Sequence, residues 1–266
     1  MKDFSVICDR YSDFAILQKS AGEMLLKLLD LHGDEDVLDI GCGVGDITRM
    51  IRKMTRGTVV GIDISAGMIS EAVNRSKGLD IHFEVRRAED IEYENCFDVV
   101  FSNSAFHWFE YPEKVIRNCY KALRKGGKIG IQAIAKKEYC PNFIKAIEKV
   151  KNDPRTSDTF MKFKGSWFLL ESEDEYNRLF EECGFEVVFS EIRTIKTKHT
   201  PEEVFNIFCS GAVLFYLDEG SYDGGISKDY VYAFRDIVMN SFIEQAGEDG
   251  KVELSFNRLF LVACKK

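Results

Sequence analysis

Two carboxylates and three glycines pose the first chemical question in this chain. The run Val37-Leu38-Asp39-Ile40-Gly41-Cys42-Gly43-Val44-Gly45-Asp46 carries a short apolar stretch into alternating glycines, and an amphipathic segment with Ile47, Met50, Ile51 and Met54 follows. That order predicts a buried strand, a tight turn and a helix start. Without a Cβ, Gly41, Gly43 and Gly45 let backbone come close to a bound group. A second apolar run, Thr58 to Ile62, ends in Asp63, 22 residues after Gly41. At the tip of the second strand of a doubly wound sheet, an acid can take both hydroxyls of a ribose. The two segments together read as a nucleoside site at the carboxyl end of a parallel sheet.

A dinucleotide site calls for G-x-G-x-x-G/A, whose last small residue lets the helix pack on the strand. Here Asp46 stands at that sixth position. A pyrophosphate would also be repelled by Asp39 and Asp46. The spacing G-x-G-x-G preceded by Asp39 resembles instead the first motif of the class I S-adenosylmethionine (SAM) methyltransferases, and Asp63 resembles their ribose-binding acid. SAM has no phosphate, and it carries a sulfonium and an ammonium. The resemblance implies SAM as cofactor, S-adenosylhomocysteine as product and an α/β fold: a doubly wound, seven-stranded, mostly parallel sheet with a mainly helical cap. It implies Asp39, Gly41, Cys42, Gly43 and Gly45 near the methionine part, and Asp63 on the ribose with Ile64 beside it.

The elements that must hold these residues follow along the chain. Residues 11–30 repeat apolar positions at helical spacing (Phe14, Leu17, Ala21, Leu25, Leu28). Within them, Tyr11-x-x-x-Ala15-x-x-Gln18 resembles the lead-in of small-acid methyltransferases, among them the malonyl-acyl-carrier-protein and trans-aconitate enzymes. That resemblance puts Tyr11 and Gln18 at the methionine end; a surface helix is the alternative. After Asp63, Ser65 is placed to cap a helix bearing Met68, and Met68 either lies near the adenine or belongs to the core. Ile81 to Val85 alternates as a third strand. Arg87-Ala88-Glu89 then resembles the D-A-E of the same families, with Arg87 in place of the usual acid, and implies Ala88 and Glu89 at the adenine edge. Phe97 to Asn103 reads as a central fourth strand. Its continuation through His107 and Trp108 resembles "FDVVxSNxALHW", so Asn103 and Ser104 would line the cofactor while His107 and Trp108 face SAM or acceptor. His107 is a candidate general base for a hydroxyl acceptor, or a packed loop histidine. The face of Trp108 would attract a sulfonium.

Leu123 to Ile131 resembles the late "LRxGGxxxI" motif and the fifth strand. The expected sheet domain is 1–135, completed by 184–192 and 254–266, with cap segments 136–183 and 193–253 for the acceptor. Ser172/Glu175 and Thr200/Glu203 are capping boxes. Ser210 to Leu217 resembles the acceptor-lining "G-x-x-x-x-Y-L" region of trans-aconitate-type enzymes, which makes Ser210 and Tyr216 candidates, Tyr216 for catalysis. Residues 218–227, rich in glycine and acid, read as a mobile loop. The resemblance implies a last strand that inserts, antiparallel, between the fifth and sixth.

Composition narrows the partners. The chain has 266 residues, 45% of them hydrophobic, enough for a large core. A net charge of −8 disfavours nucleic acid, whose binding rests on neutralising phosphates. Eight cysteines include no C-x-x-C pair, so no metal site is expected and the thiols read as reduced, mostly buried and cytoplasmic. Neither a signal-peptide core nor a membrane-spanning apolar run is present, so no membrane partner is expected. The activity expected is methyl transfer to a small-molecule or thioester-linked acceptor, foremost O-methylation of a carboxylate. Such a group, with a pKa of about 4, is already ionised and needs no base. Arg155, Lys162, Lys164 and Arg193 are the cations considered for orienting it. The alternatives are N-, C- or hydroxyl O-methylation, an NAD-dependent oxidoreductase, and a non-catalytic nucleoside-binding module.

Overall fold

The computed structural model describes residues 16–266; Tyr11 and the Y-x-x-x-A portion of the lead-in lie outside them. Seven strands form one sheet: β1 (Val37–Ile40), β2 (Val59–Asp63), β3 (His82–Val85), β4 (Phe97–Asn103), β5 (Leu123–Ile134), β6 (Phe185–His199) and β7 (Val252–Lys265). Their order is β3-β2-β1-β4-β5-β7-β6, with β1 to β5 parallel and β7 antiparallel to both β5 and β6. The α/β class, the mostly parallel sheet and the inserted last strand are as expected. β1, β2 and β4 are near-continuous apolar runs because helices cover both faces of the sheet. Strand order reverses between β1 and β4, so the crevice beyond their carboxyl ends is the natural ligand site.

On one face, α1 (Ile16–Leu29) and α2 (Asp46–Met54) bury Leu25, Leu29 and Ile51 against Phe101, Phe260 and Val262. On the other lie α4 (Pro112–Ala122) and α7 (Glu173–Glu182), with Val115, Tyr176 and Phe180 in the shared core. Between them in sequence, α3 (Ala66–Arg75) follows β2, capped by Ser65, whose hydroxyl accepts from the Met68 amide. The cap is helical: α5 (Pro141–Asn152), α6 (Ser157–Phe160), α8 (Pro201–Cys209), α9 (Ala212–Tyr216) and α10 (Lys228–Glu244) share an aromatic core with the outer ends of β5 and β7. Both capping boxes form, at the starts of α7 and α8.

The structure moves the expected cap boundaries. Residues 193–199 belong to β6, because β7 offers them a continuous ladder from Arg258 down to Val252. Helix α7 belongs to the sheet layer, since Tyr176 and Phe180 fill the sheet core. The loop read as mobile is pinned: the buried Tyr222 donates its hydroxyl to the Tyr216 carbonyl (2.6 Å) and shares a hydrogen bond with Tyr230 (2.8 Å). Three described cysteines (Cys119, Cys140, Cys183) are buried, whereas Cys96 is exposed and Cys42, Cys209 and Cys264 are half-buried. Among the described residues, no helix is long and apolar enough to cross a membrane.

Candidate active site

The glycine turn joins β1 to α2. Gly41, Gly43 and Gly45 all have left-handed backbone, with φ of 73°, 55° and 76°. Their jobs differ. A Cβ on Gly41 would lie 2.3 Å from the Ala105 side chain, whereas one on Gly43 would meet nothing within 4 Å. A Cβ on Gly45 would press on Phe83 (3.1 Å) and Ala72 (3.3 Å). Gly45 therefore serves close packing of helix on sheet and does not reach the cavity expected of it.

Asp63 closes the turn from the tip of β2. Its carboxylate accepts from the Gly43 amide (3.0 Å) and the Ser65 amide (2.9 Å). Burial raises its pKa against those two hydrogen bonds. The oxygens keep further lone pairs for ribose hydroxyls. Asp39, on β1, is buried and accepts from the Thr48 hydroxyl at 2.6 Å. Burial pushes its carboxyl up to about 7 despite that bond, and the Asp63 charge adds to the rise.

A cavity of about 790 Å³ opens above these strand ends, toward the upper end of the usual range for small-molecule sites. Its first half is lined by Gln18, Gly41, Gly43, Asp63, Ile64, Met68, Ala88, Glu89, Asn103 and Ser104. A small adjoining pocket of about 60 Å³ adds Asp39 and Cys42. At their junction, the side-chain oxygens of Gln18 and Asn103 are buried and have no hydrogen-bond partner among the described residues. Two orphaned acceptors near the Asp39 carboxylate suit an ammonium, and the open space at Gly43 beside the Asp63 clamp suits a ribose. The residues present thus fit SAM.

At the far end of this half, the Glu89 carboxylate accepts from the Glu110 amide (3.1 Å), and its carbonyl accepts from Asn118 (2.9 Å). Arg87, where the resemblance calls for an acid, stands at the mouth 3.2 Å from Glu110 and 3.6 Å from Glu89. It ties two acids together, a task an aspartate at this position could not do.

The second half is aromatic. Trp108, Tyr139, Phe143, Trp167, Phe168 and Phe256 line it, with His107 and Ser210. Trp108 meets Trp167 edge to face (5.3 Å), and Trp167 stacks on Phe215 (4.1 Å). Tyr216 is not on the cavity wall. Its ring lies parallel to Phe208 (6.2 Å), its carbonyl accepts from Tyr222, and its hydroxyl neighbours that of Tyr139, which does reach the cavity. Burial pushes the Tyr216 phenol up to about 12.

None of the four cations considered from sequence lines the cavity. Arg155 pairs with Asp153 and Asp236, Lys164 with Asp223, and Arg193 with Glu191. Arg86 and Arg87 line the cofactor end, and the cation in the aromatic half is Arg258 of β7, only 4% exposed. Its signal was present in the sequence: Leu254, Phe256, Arg258 and Phe260 share one strand face, and a lone charge in such a row marks an unusual environment.

Comparison with known proteins agrees with this geometry. Residues 31–184 match the family described as a methyltransferase domain. The chain belongs to that family: it carries a methyltransferase domain on the sheet fold of the class I SAM-dependent enzymes, and its cofactor half fits SAM. It is 32% identical over 172 residues to phosphoethanolamine N-methyltransferase 3 of Arabidopsis thaliana, covering 63% of this chain and 32% of the plant protein. It is 34% identical over 129 residues to the malonyl-acyl-carrier-protein O-methyltransferase of Pectobacterium atrosepticum, covering 47% of this chain and 49% of that protein. The chain thus spans less than half the length of either curated relative. Among solved structures, Haemonchus contortus phosphoethanolamine N-methyltransferase 2, in complex with phosphomonomethylethanolamine and S-adenosylhomocysteine, superposes with a TM-score of 0.56 at 20% identity, over 92% of this chain and 52% of that one.

Proposed function

We propose that the acceptor is a small acid and that a carboxylate oxygen receives the methyl group, giving a methyl ester. One observation supports an anionic acceptor most: the most deeply buried charged side chain in the acceptor half is the Arg258 guanidinium, in a chamber otherwise walled mainly by aromatic and aliphatic groups. A desolvated cation favours an anionic ligand and disfavours an ammonium. SAM supplies a methyl group activated by its sulfonium. A carboxylate is ionised at neutral pH, so its oxygen can form the new C–O bond while the old C–S pair returns to sulfur, and no proton has to move. The protein's contribution is alignment. Reactants held within about 3–3.5 Å in line lose roughly 7–11 kcal/mol of barrier. Trp108 and Trp167 exclude water from the approach, which leaves the nucleophile less solvated. His107 then acts as part of the wall, with no base duty.

A free acid and an acyl group on a carrier thioester present the same carboxylate, and the Pectobacterium relative is a reason to test both. A second reading is N-methylation of a phosphorylated amine. It draws on the Arabidopsis relative and on the right-angled Trp108–Trp167 pair, whose faces suit a methylated ammonium. The deciding experiment supplies SAM with a panel of free acids, acyl thioesters and phosphoethanolamine, and identifies the product by mass spectrometry. An alkali-labile methyl ester is expected. N-methylated product alone would overturn the ester reading.

A further inference from the structure

Arg258 stands where the sheet meets the cap, paired in register with Ile134 of β5 and Arg193 of β6. Its guanidinium lies 5.1 Å from the centroid of the Phe256 ring, and both residues line the cavity. The neighbouring Arg193 is matched by Glu191 at 2.7 Å. No carboxylate among the described residues forms a salt bridge with Arg258, and burial draws its pKa down to about 10, which still leaves it charged at neutral pH. A charge taken out of water costs several kcal/mol unless it is paired. An anion that the cavity admits would supply the partner that the described residues do not. A guanidinium presents a planar fork of donors that matches a carboxylate or phosphate in bidentate fashion.

Register sets Arg258 apart from the glycine turn, and chemistry separates its anion from the reacting atom. Asn103, beside the glycine turn at the end of β4, pairs with Gln132, which pairs with Phe260; Arg258 is two residues further along β7. With strands about 4.8 Å apart and about 3.4 Å per residue, the Cα atoms of Asn103 and Arg258 are roughly 12 Å apart. A guanidinium bound to the attacking oxygen would also draw charge from the nucleophile and set a second positive charge beside the sulfonium. We propose that Arg258 anchors an oxyanion of the acceptor distinct from the atom that is methylated, so that the acceptor is a bifunctional anion and Arg258 selects it. The proposal rests on the methyltransferase reading of the cavity and deepens it, without depending on which atom is methylated.

The test compares wild type with Arg258→Gln and Arg258→Lys, each saturated with S-adenosylhomocysteine. Glutarate and phosphoethanolamine are titrated in by calorimetry. At least one is expected to bind wild type, to bind Arg258→Gln at least about tenfold more weakly, and to recover in part in Arg258→Lys. Cofactor-product affinity within about twofold across the three proteins reports that each is folded. In turnover, straight-chain dicarboxylic acids from malonate to azelate should exceed monocarboxylic acids of equal length by about tenfold in kcat/KM, and Arg258→Gln should erase that preference through KM more than kcat. A glutamine variant that keeps the preference or the affinity overturns the proposal, as does a wild type that binds none of these anions. N-methylation of phosphoethanolamine that is lost in Arg258→Gln sinks the ester reading and supports the anchor.

Discussion

The two halves of the cavity are built in opposite ways. The cofactor half is organised by one short stretch, from Asp39 to Ser65, in which backbone amides and one carboxylate do the holding: Gly43 and Ser65 donate to Asp63, and Gly41 and Cys42 donate to the Ile62 carbonyl (2.8 and 3.0 Å), while Gln18, Met68, Ala88, Glu89, Asn103 and Ser104 complete its wall. The acceptor half is made by side chains from segments far apart; Trp108 and Arg258 are 150 positions from each other. A half built of turns tolerates few substitutions. A half built of side chains can change its ligand by changing one of them while the first half stays as it is.

The sharpest way to break this comparison is to remove the one side chain on which the first half depends. Asp63→Ala deletes a ribose acceptor and also frees the Gly43 and Ser65 amides. With each charge-assisted hydrogen bond worth about 1.5–3 kcal/mol, S-adenosylhomocysteine affinity should fall at least roughly 100-fold by calorimetry. Trp167→Leu, in the second half, should leave that affinity within about threefold. Equal losses in both variants would mean that the halves are one energetic unit.

The same asymmetry decided what could be read in advance. Glycine spacing, an acid at a strand end and the apolar run of β4 are local signals, and each put its element where it lies. Gly45 has a spacing shared by glycines that touch a ligand and glycines that admit a helix; the position of Phe83 shows that it does the second. The extension of β6 to His199 was hidden because its ladder partner is β7, and Arg193 to His199 alternate too weakly to announce a strand without it. Arg258 escaped because the search for a cation followed the cap segments, whereas the fold takes it from the last strand. Three of the four cations considered, Arg155, Lys164 and Arg193, were already neutralised on the surface by Asp153, Asp236, Asp223 and Glu191.

A smaller effect separates the glycine turn from the carboxylate behind it. The Asp39 carboxyl is raised by burial to about 7 in the fold, above its ordinary range near 4. The folded protein therefore holds a proton that the unfolded chain releases. That contribution to stability is complete below pH ~4 and is lost as pH rises through ~7, at up to about 1.4 kcal/mol per pH unit. Asp39→Asn should flatten this loss, so that its melting temperature declines less than that of wild type between about pH 5 and pH 8. An ammonium beside Asp39 favours the ionised form, so S-adenosylhomocysteine should release protons on binding near pH 6.5 to 7. Calorimetric enthalpies that do not change with the ionisation heat of the buffer would separate Asp39 from the ammonium.

The smallest effect falls in the acceptor half and marks where its wall ends. Tyr216 packs one layer behind the cavity, against Phe208, with Tyr139 between its hydroxyl and the cavity. Tyr216→Phe keeps the ring and removes only that hydroxyl. Its stability cost should be about 1 kcal/mol, and kcat/KM with whichever acceptor turns over should stay within about threefold. Tyr139→Phe, which alters the wall itself, should cost more. The contrast has content because burial holds the Tyr216 phenol at about 12, protonated at any working pH, so it could act only as a neutral hydrogen-bonding group toward something within reach. A fall of about 30-fold or more in Tyr216→Phe, with cofactor-product affinity intact, would put that hydroxyl in contact with the acceptor. The boundary drawn between the aromatic wall and the cap core would then have to move inward by one layer, and Tyr139 would become a relay between acceptor and Tyr216.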